Sequence, residues 1–186
     1  MRKVNLGCGE NHLDGWENYD KDMNITKKLN FDDSSVDFIL AEHVFEHITP
    51  LQGLFFIREC HRVLKPNGVL RLCVPVIDYV IKRHDEEYLK NHGGNLSNAI
   101  ELIVGFNGHQ AVYTEQLLVL LLEVNGFYCT VKEPQKSDYS ELTNVDGHSK
   151  VIGEYANWIE TVCIEAVVKK ENYWTIKPIT VRVWGE

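Results

Sequence analysis

Three short stretches of the chain hold residue types that could do chemistry. The first, Val4-Asn5-Leu6-Gly7-Cys8-Gly9-Glu10, is an apolar run ending in Gly-x-Gly. It reads as a buried strand that stops in a tight turn, where absent Cβ atoms let a ligand approach the backbone. The second, Trp16-Glu17-Asn18-Tyr19-Asp20, reads as a neighbouring strand whose last residue sets a carboxylate beside that turn. A carboxylate in that position commonly accepts hydrogen bonds from both hydroxyls of a ribose. Together the two stretches predict a nucleoside-bearing ligand.

The third stretch, His43-Val44-Phe45-Glu46-His47, matches the His-x-x-Glu-His pattern of inverted zinc proteases. On a helix its two histidines, four apart, would share one face and could hold zinc. That reading needs a further carboxylate ligand on a downstream helix and a cleft wide enough for a peptide, and it leaves the upstream half of the chain unexplained. No metal is therefore expected. His43 instead reads as an active-site wall or general base, and His47 as a histidine at a helix start.

Absent residues narrow the nucleoside. A dinucleotide fingerprint needs a third glycine three positions after the second, and position 12 is His12. A P-loop needs Lys followed by Ser or Thr, and none follows. A nicotinamide-dependent oxidoreductase is disfavoured on the same ground.

Five segments taken in order resemble class I S-adenosylmethionine-dependent methyltransferases: Asn5-Leu6-Gly7-Cys8-Gly9, Gly15-Trp16-Glu17-Asn18-Tyr19-Asp20, Phe31 to Ile39, His43 to His47, and Arg62-Val63-Leu64-Lys65-Pro66-Asn67-Gly68. The nearest likeness is to a small branch whose glycine motif runs into a short Gly-Trp-x-Asn-x-Asp segment, and it spans most of residues 1 to 130. The resemblance implies a doubly wound α/β fold, with a mostly parallel seven-stranded sheet and an antiparallel C-terminal hairpin. It implies S-adenosylmethionine as cofactor, held by Leu6, Gly7, Cys8, Gly9, Asp20, Asn24, Ile25, Ala41 and Glu42. Asn24 stands where the family has an Asp that meets the adenine amino group, and an amide oxygen can accept the same hydrogen bond. The Ile25 backbone would lie beside the adenine ring. The carboxyl end of the Val36–Ala41 strand would bring Ala41, Glu42 and His43 to the methionine half and the acceptor. Should the acceptor need a base, His43 and His109 are the first candidates, because neutral imidazole takes a proton near pH 7, and Asp78 is the third.

These residues need a scaffold, and 186 residues suffice for a single domain with a sizeable core. The predicted elements are a helix from Pro50 to Leu64, a strand from Val69 to Pro75, a helix opened by Thr114 as N-cap, a strand from Phe127 to Lys132, a polar connection over residues 134–153 and a strand from Trp158 to Val168. Residues 10–18 leave room for about two turns of helix at most. Tyr173 to Trp184 could add another strand or pack elsewhere. Between Val76 and Tyr113 runs a segment of about 35 residues, beyond an ordinary connection, which predicts a lid that contacts the acceptor. Its His84 and His92 read as exposed polar residues.

Composition limits the partners. The formal charge is −8, from 19 basic and 27 acidic residues. With no basic stripe to meet phosphates, nucleic acid is disfavoured as acceptor, and a small molecule such as a sugar or other metabolite is expected. Five cysteines without paired spacing predict reduced thiols and a cytoplasmic location, and no apolar run is long enough for a signal peptide or membrane span. The oligomeric state is not legible. A competing possibility is an inactive binding or scaffold module of the same fold, because Asn24 and the short first connection depart from the family pattern.

Overall fold

The computed structural model describes residues 1–106 and 108–169, so the segment from Tyr173 to Trp184, read as a further strand or as packing elsewhere, lies outside the described residues. Six strands form one sheet in the order β2-β1-β3-β4-β6-β5. They are β1 (Lys3–Leu6), β2 (Glu17–Tyr19), β3 (Val36–Glu42), β4 (Leu64–Pro75), β5 (Phe127–Lys132) and β6 (Thr161–Val168). The first four are mutually parallel, and β6 runs antiparallel to both β4 and β5. The doubly wound sheet with its antiparallel C-terminal pair is as expected, with six strands among the described residues in place of seven. Residues 20–35 contain turns and no strand. Their apolar side chains Ile25, Leu29 and Phe31 are sunk into the core instead.

Strand periodicity divides the apolar residues between two faces. On one face Ile39 and Ala41 of β3 and Leu70, Leu72 and Val74 of β4 meet Phe56, Ile57, Cys60 and Val63 of α1 (Pro50–Val63). Leu118 and Leu122 of α5 (Glu115–Val124) complete this cluster. Each aliphatic side chain so buried contributes about 1.5–3 kcal/mol. On the other face Phe38 and Val69 pack with Leu142, Tyr139 and Trp16, so Trp16 is a packing residue. The helices start where local chemistry dictates. Thr49 and Gln52 form a reciprocal capping box ahead of α1, with Pro50 in the first turn, and Thr114 caps α5 by accepting Leu117 N–H.

Residues 77–106 fold into α2 (Ile77–Arg83), α3 (Glu86–Asn91), α4 (Leu96–Glu101) and a π turn at Leu102–Phe106. After the connection from β5 come α6 (Ser149–Ile152) and α7 (Glu154–Glu160). A satellite core joins the two regions, made of Val80, Tyr88, Ala99 and Ile103 with Ala156 and Ile159. This corrects the expected strand from Trp158: residues 158–160 end a helix, because Ala156 and Ile159 are buried at helical spacing against that satellite core. Among the described residues no helix is long and apolar enough to cross a membrane.

Candidate functional site

The carboxyl ends of β1, β2 and β3 meet at one edge of the sheet, the place where doubly wound folds bind ligands. Gly7 N and Cys8 N both donate to Tyr19 O, at 2.8 and 3.0 Å, which ties the glycine turn to the end of β2. Gly7 and Gly9 have φ of +70° and +47°, the left-handed region open to glycine. They do different work. A Cβ on Gly7 would fall 2.6 Å from Cγ2 of Val44, so this glycine lets the chain after β3 pack against the turn. A Cβ on Gly9 would meet no atom within 4 Å, so its side is open to a ligand. Asp20 is exposed just beyond β2, with its own N–H bonded to Asp22.

No helix forms between β1 and β2. Side-chain amides order that loop instead: buried Asn5 donates to Asn11 O at 2.8 Å and to Asn18 Oδ1 at 3.1 Å, while Asn18 donates to Leu13 O and Trp16 O. Asn24 is exposed, and its Oδ1 accepts both the N–H and the hydroxyl of Thr26, at 2.9 and 2.7 Å. The amide oxygen expected to face adenine thus spends both lone pairs on a local turn, and only the NH2 group of Asn24 keeps capacity, as a donor. Leu6 and Ala41 are fully buried, Cys8 and Ile25 nearly so, and burial pushes the Cys8 thiol up, away from a reactive thiolate.

Glu42 ends β3, and its carboxylate accepts Gly147 N and His148 N at 2.6 and 2.9 Å. Burial pushes its carboxyl above the ordinary value despite those two donors. Asn11 donates to Val145 O at 2.9 Å, so the loop at residues 145–148 lies over the glycine loop. Beneath it, fully buried Arg71 holds Asp146 through two bonds of 2.7 and 2.5 Å and meets Glu165 at 3.1 Å.

Past Glu42 the chain does not continue as the helix that a zinc pair would need. His43 has φ of +49°, and only Phe45–His47 make a 3-10 turn, so His43 and His47 do not share a helical face. Both His43 nitrogens are engaged, Nε2 with Thr161 Oγ1 at 3.1 Å and Nδ1 with Glu46 Oε1 at 3.2 Å, and its ring stacks on His148 with centroids 3.5 Å apart. Glu46 is 1% exposed. Burial would raise its carboxyl, but neighbouring His43 brings it below the ordinary value. Burial, with His43 beside it, lowers His148 to about 4, so that ring is neutral at pH 7. Tyr113, buried near the same carboxylate, is pushed up to about 12.

His109 arrives from the far end of the helical segment. Its Nδ1 stands 2.5 Å from Ile103 O, and its ring packs edge-on against His47 at 4.8 Å. The structure thus gathers His43 and His109, expected separately, around Glu46. Asp78 is not part of this group: its carboxylate accepts Glu115 N–H at the start of α5 and pairs with Lys82. His84 and His92 are engaged inside the helical segment. His84 Nδ1 bonds Val80 O, while His92 stacks on Tyr88 and pairs with Glu160. Glu46 and His148 were missed as site residues. For His148 no local pattern marks it, because a loop 105 residues downstream of Glu42 brings it in.

Residues 5–72 match the family described as a methyltransferase domain. No curated protein matches the chain. Among solved structures it is similar to a SAM-dependent methyltransferase from Archaeoglobus fulgidus, at 16% identity and TM-score 0.53, over 90% of this chain and 86% of that one. It is also similar to an S-adenosylmethionine-dependent methyltransferase from Listeria monocytogenes, at 14% identity and TM-score 0.55, over 91% of each chain. A third similar chain, from a complex between the Haloferax volcanii Trm112 methyltransferase activator and a methyltransferase, gives 14% identity and TM-score 0.58 over 92% of this chain and 83% of that one. At such identities the likeness is one of fold. The glycine turn and the first parallel strands thus match a methyltransferase domain, and the described residues share the fold of S-adenosylmethionine-dependent methyltransferases.

Proposed function

We propose that the chain methylates a small molecule, such as a sugar or another metabolite, in the crevice at the carboxyl ends of β1, β2 and β3. The observation that supports this reading best is the pairing of Gly9, whose missing Cβ leaves free space, with the exposed carboxylate of Asp20 at the end of the adjacent strand. That pairing fits a nucleoside with its ribose diol on Asp20 and its chain along the glycine turn. Asn24 and Ile25 would border the base, and Ala41 and Glu42 the amino-acid end. Bound S-adenosylmethionine supplies a methyl group already made electrophilic by its positively charged sulfur. The protein's task is then to place the acceptor in line and exclude water. His43 and Glu42 are held by Thr161 and by the 145–148 loop, so they form a rigid wall there. Residues 76–113 would act as the lid over the acceptor. His109, with one nitrogen spent on a backbone carbonyl, keeps the other for the acceptor side.

The net charge of −8 supports a small acceptor over a polyanion. The test is a transfer assay with labelled S-adenosylmethionine on a cell extract split into metabolite, protein and nucleic-acid fractions. Label in the metabolite fraction is expected. Label confined to nucleic acid or protein would overturn the acceptor class.

A further inference from the structure

Around Glu46 the structure leaves a polar problem unsolved. Both of its carboxylate oxygens are buried, and neither receives an aligned hydrogen bond; the His43 Nδ1 stands 3.2 Å from one of them. A buried carboxylate short of aligned donors is costly, and such groups are ordinarily paired or ligate a cation. The Tyr113 hydroxyl nearby is also buried without a partner. The ligand atoms of Glu46, His47 and His109 all lie within 4.8 Å of one another.

We propose that Glu46, His47 and His109 form a site for a divalent transition-metal cation of the zinc, cobalt or manganese kind, whose open positions take an oxygen of the methyl acceptor. The role toward the acceptor rests on the methyltransferase reading; the cation site does not. Three features carry it beyond proximity. His109 is set for ligation, because its Nδ1 lies 2.5 Å from Ile103 O, and only a protonated nitrogen can bond a carbonyl; the lone pair is then on Nε2. A ligating histidine almost always spends its other nitrogen in this way. Ile103 itself belongs to the π turn, a local irregularity that functional sites often keep.

The two segments are also fastened to each other. Gln110 N and Ala111 N both donate to Glu46 O, at 2.8 and 3.2 Å, and Gln110 Nε2 donates to His47 O at 2.7 Å. The side chains are thereby pre-positioned by backbone bonds that no cation makes. His47 and His109 are partly exposed, so a cation would be reachable and would keep positions for further ligands, as catalytic sites do. Two imidazole nitrogens and one carboxylate suit transition metals, whereas magnesium and calcium prefer oxygen alone. Among the described residues the other group of metal-binding types, Cys73, Asp146 and Cys163, already faces the Arg71 guanidinium, whose positive charge opposes a second cation.

Titration of the full chain, stripped of metal and dialysed, with cobalt(II) tests the site through the ligand-field absorption of the bound ion. One equivalent is expected, without a thiolate charge-transfer band. Glu46→Gln and His109→Ala should each weaken binding at least about tenfold, the smallest loss that would mark a ligand rather than a bystander. His84→Gln and Cys73→Ser should leave binding as in the wild type. Absence of a cobalt spectrum from wild-type protein that is folded by circular dichroism would overturn the site. So would an affinity unchanged in both ligand variants, or a thiolate band lost in Cys73→Ser. S-adenosylhomocysteine titrated into the same samples keeps the two claims apart. Its binding without cobalt binding sinks only the cation site, and cobalt binding without it sinks only the methyltransferase reading.

Discussion

Glu42 accepts the backbone N–H of His148 at 2.9 Å, joining the last residue of β3 to a loop 106 residues further on. This one carboxylate fixes the cover of the glycine loop, and with it the stack of His148 on His43. The floor and roof of the crevice are therefore coupled.

Removing that acceptor should be costly. Glu42→Ala is expected to lower stability by about 1.5–3 kcal/mol for each backbone bond to a charged group that is lost, and to expose residues 144–148 to proteolysis. Urea midpoints and limited proteolysis measure both. Wild-type values in the variant would mean that the loop is held by other contacts.

The same carboxyl gives a pH signature. Its folded value is raised above the ordinary 4.5, chiefly by burial, so the folded protein holds this proton more tightly than the unfolded chain does. Its contribution to stability is fully present below the unfolded value and is lost as pH rises through the folded one. Glu42→Gln should flatten that decline above about pH 4.5. An equally steep decline in the variant would assign it to another group.

Arg71→Met leaves Asp146 and Glu165 buried with no cation between them. Breaking a buried ion pair from one side costs about 3–5 kcal/mol, and that loss in chemical denaturation is the expected result. A loss under about 1 kcal/mol, the worth of an exposed pair, would show that water reaches this cluster.

His43→Ala removes a ring bonded to Thr161 and set beside Glu46. A loss of about 1–3 kcal/mol in stability is expected, with S-adenosylhomocysteine affinity close to that of the wild type. Equal loss of affinity would make His43 a cofactor residue.

Much of the scaffold could be read from the chain because its signals are local. The Gly-x-Gly turn, the apolar run of β3, the helix opened at Pro50 and the Thr114 cap each follow from spacing within one element. What could not be read depends on distant segments. Arg71 sits in an apolar strand because Asp146 and Glu165 neutralise it, and nothing near either acid marks it as a partner. The sequence reads Trp158 and Ile159 as strand because a short apolar run does not distinguish strand from helix, and the satellite core decides for helix. Glu46 stands within a motif whose zinc reading pairs His43 with His47. The left-handed backbone at His43 breaks that pairing, and it is His109, 62 residues on, whose ring packs against His47.

The central claim is that the Gly7–Gly9 turn and Asp20 hold S-adenosylmethionine. Calorimetric titration of wild type and Asp20→Ala with S-adenosylmethionine, S-adenosylhomocysteine and NAD tests it most directly. The expected result is saturable binding of the first two, none of NAD, and an affinity weaker by about 1.5–3 kcal/mol in the variant, the range for hydrogen bonds to a charged group. Binding of the first two that is unchanged by Asp20→Ala, or no binding of either to folded protein, would contradict it.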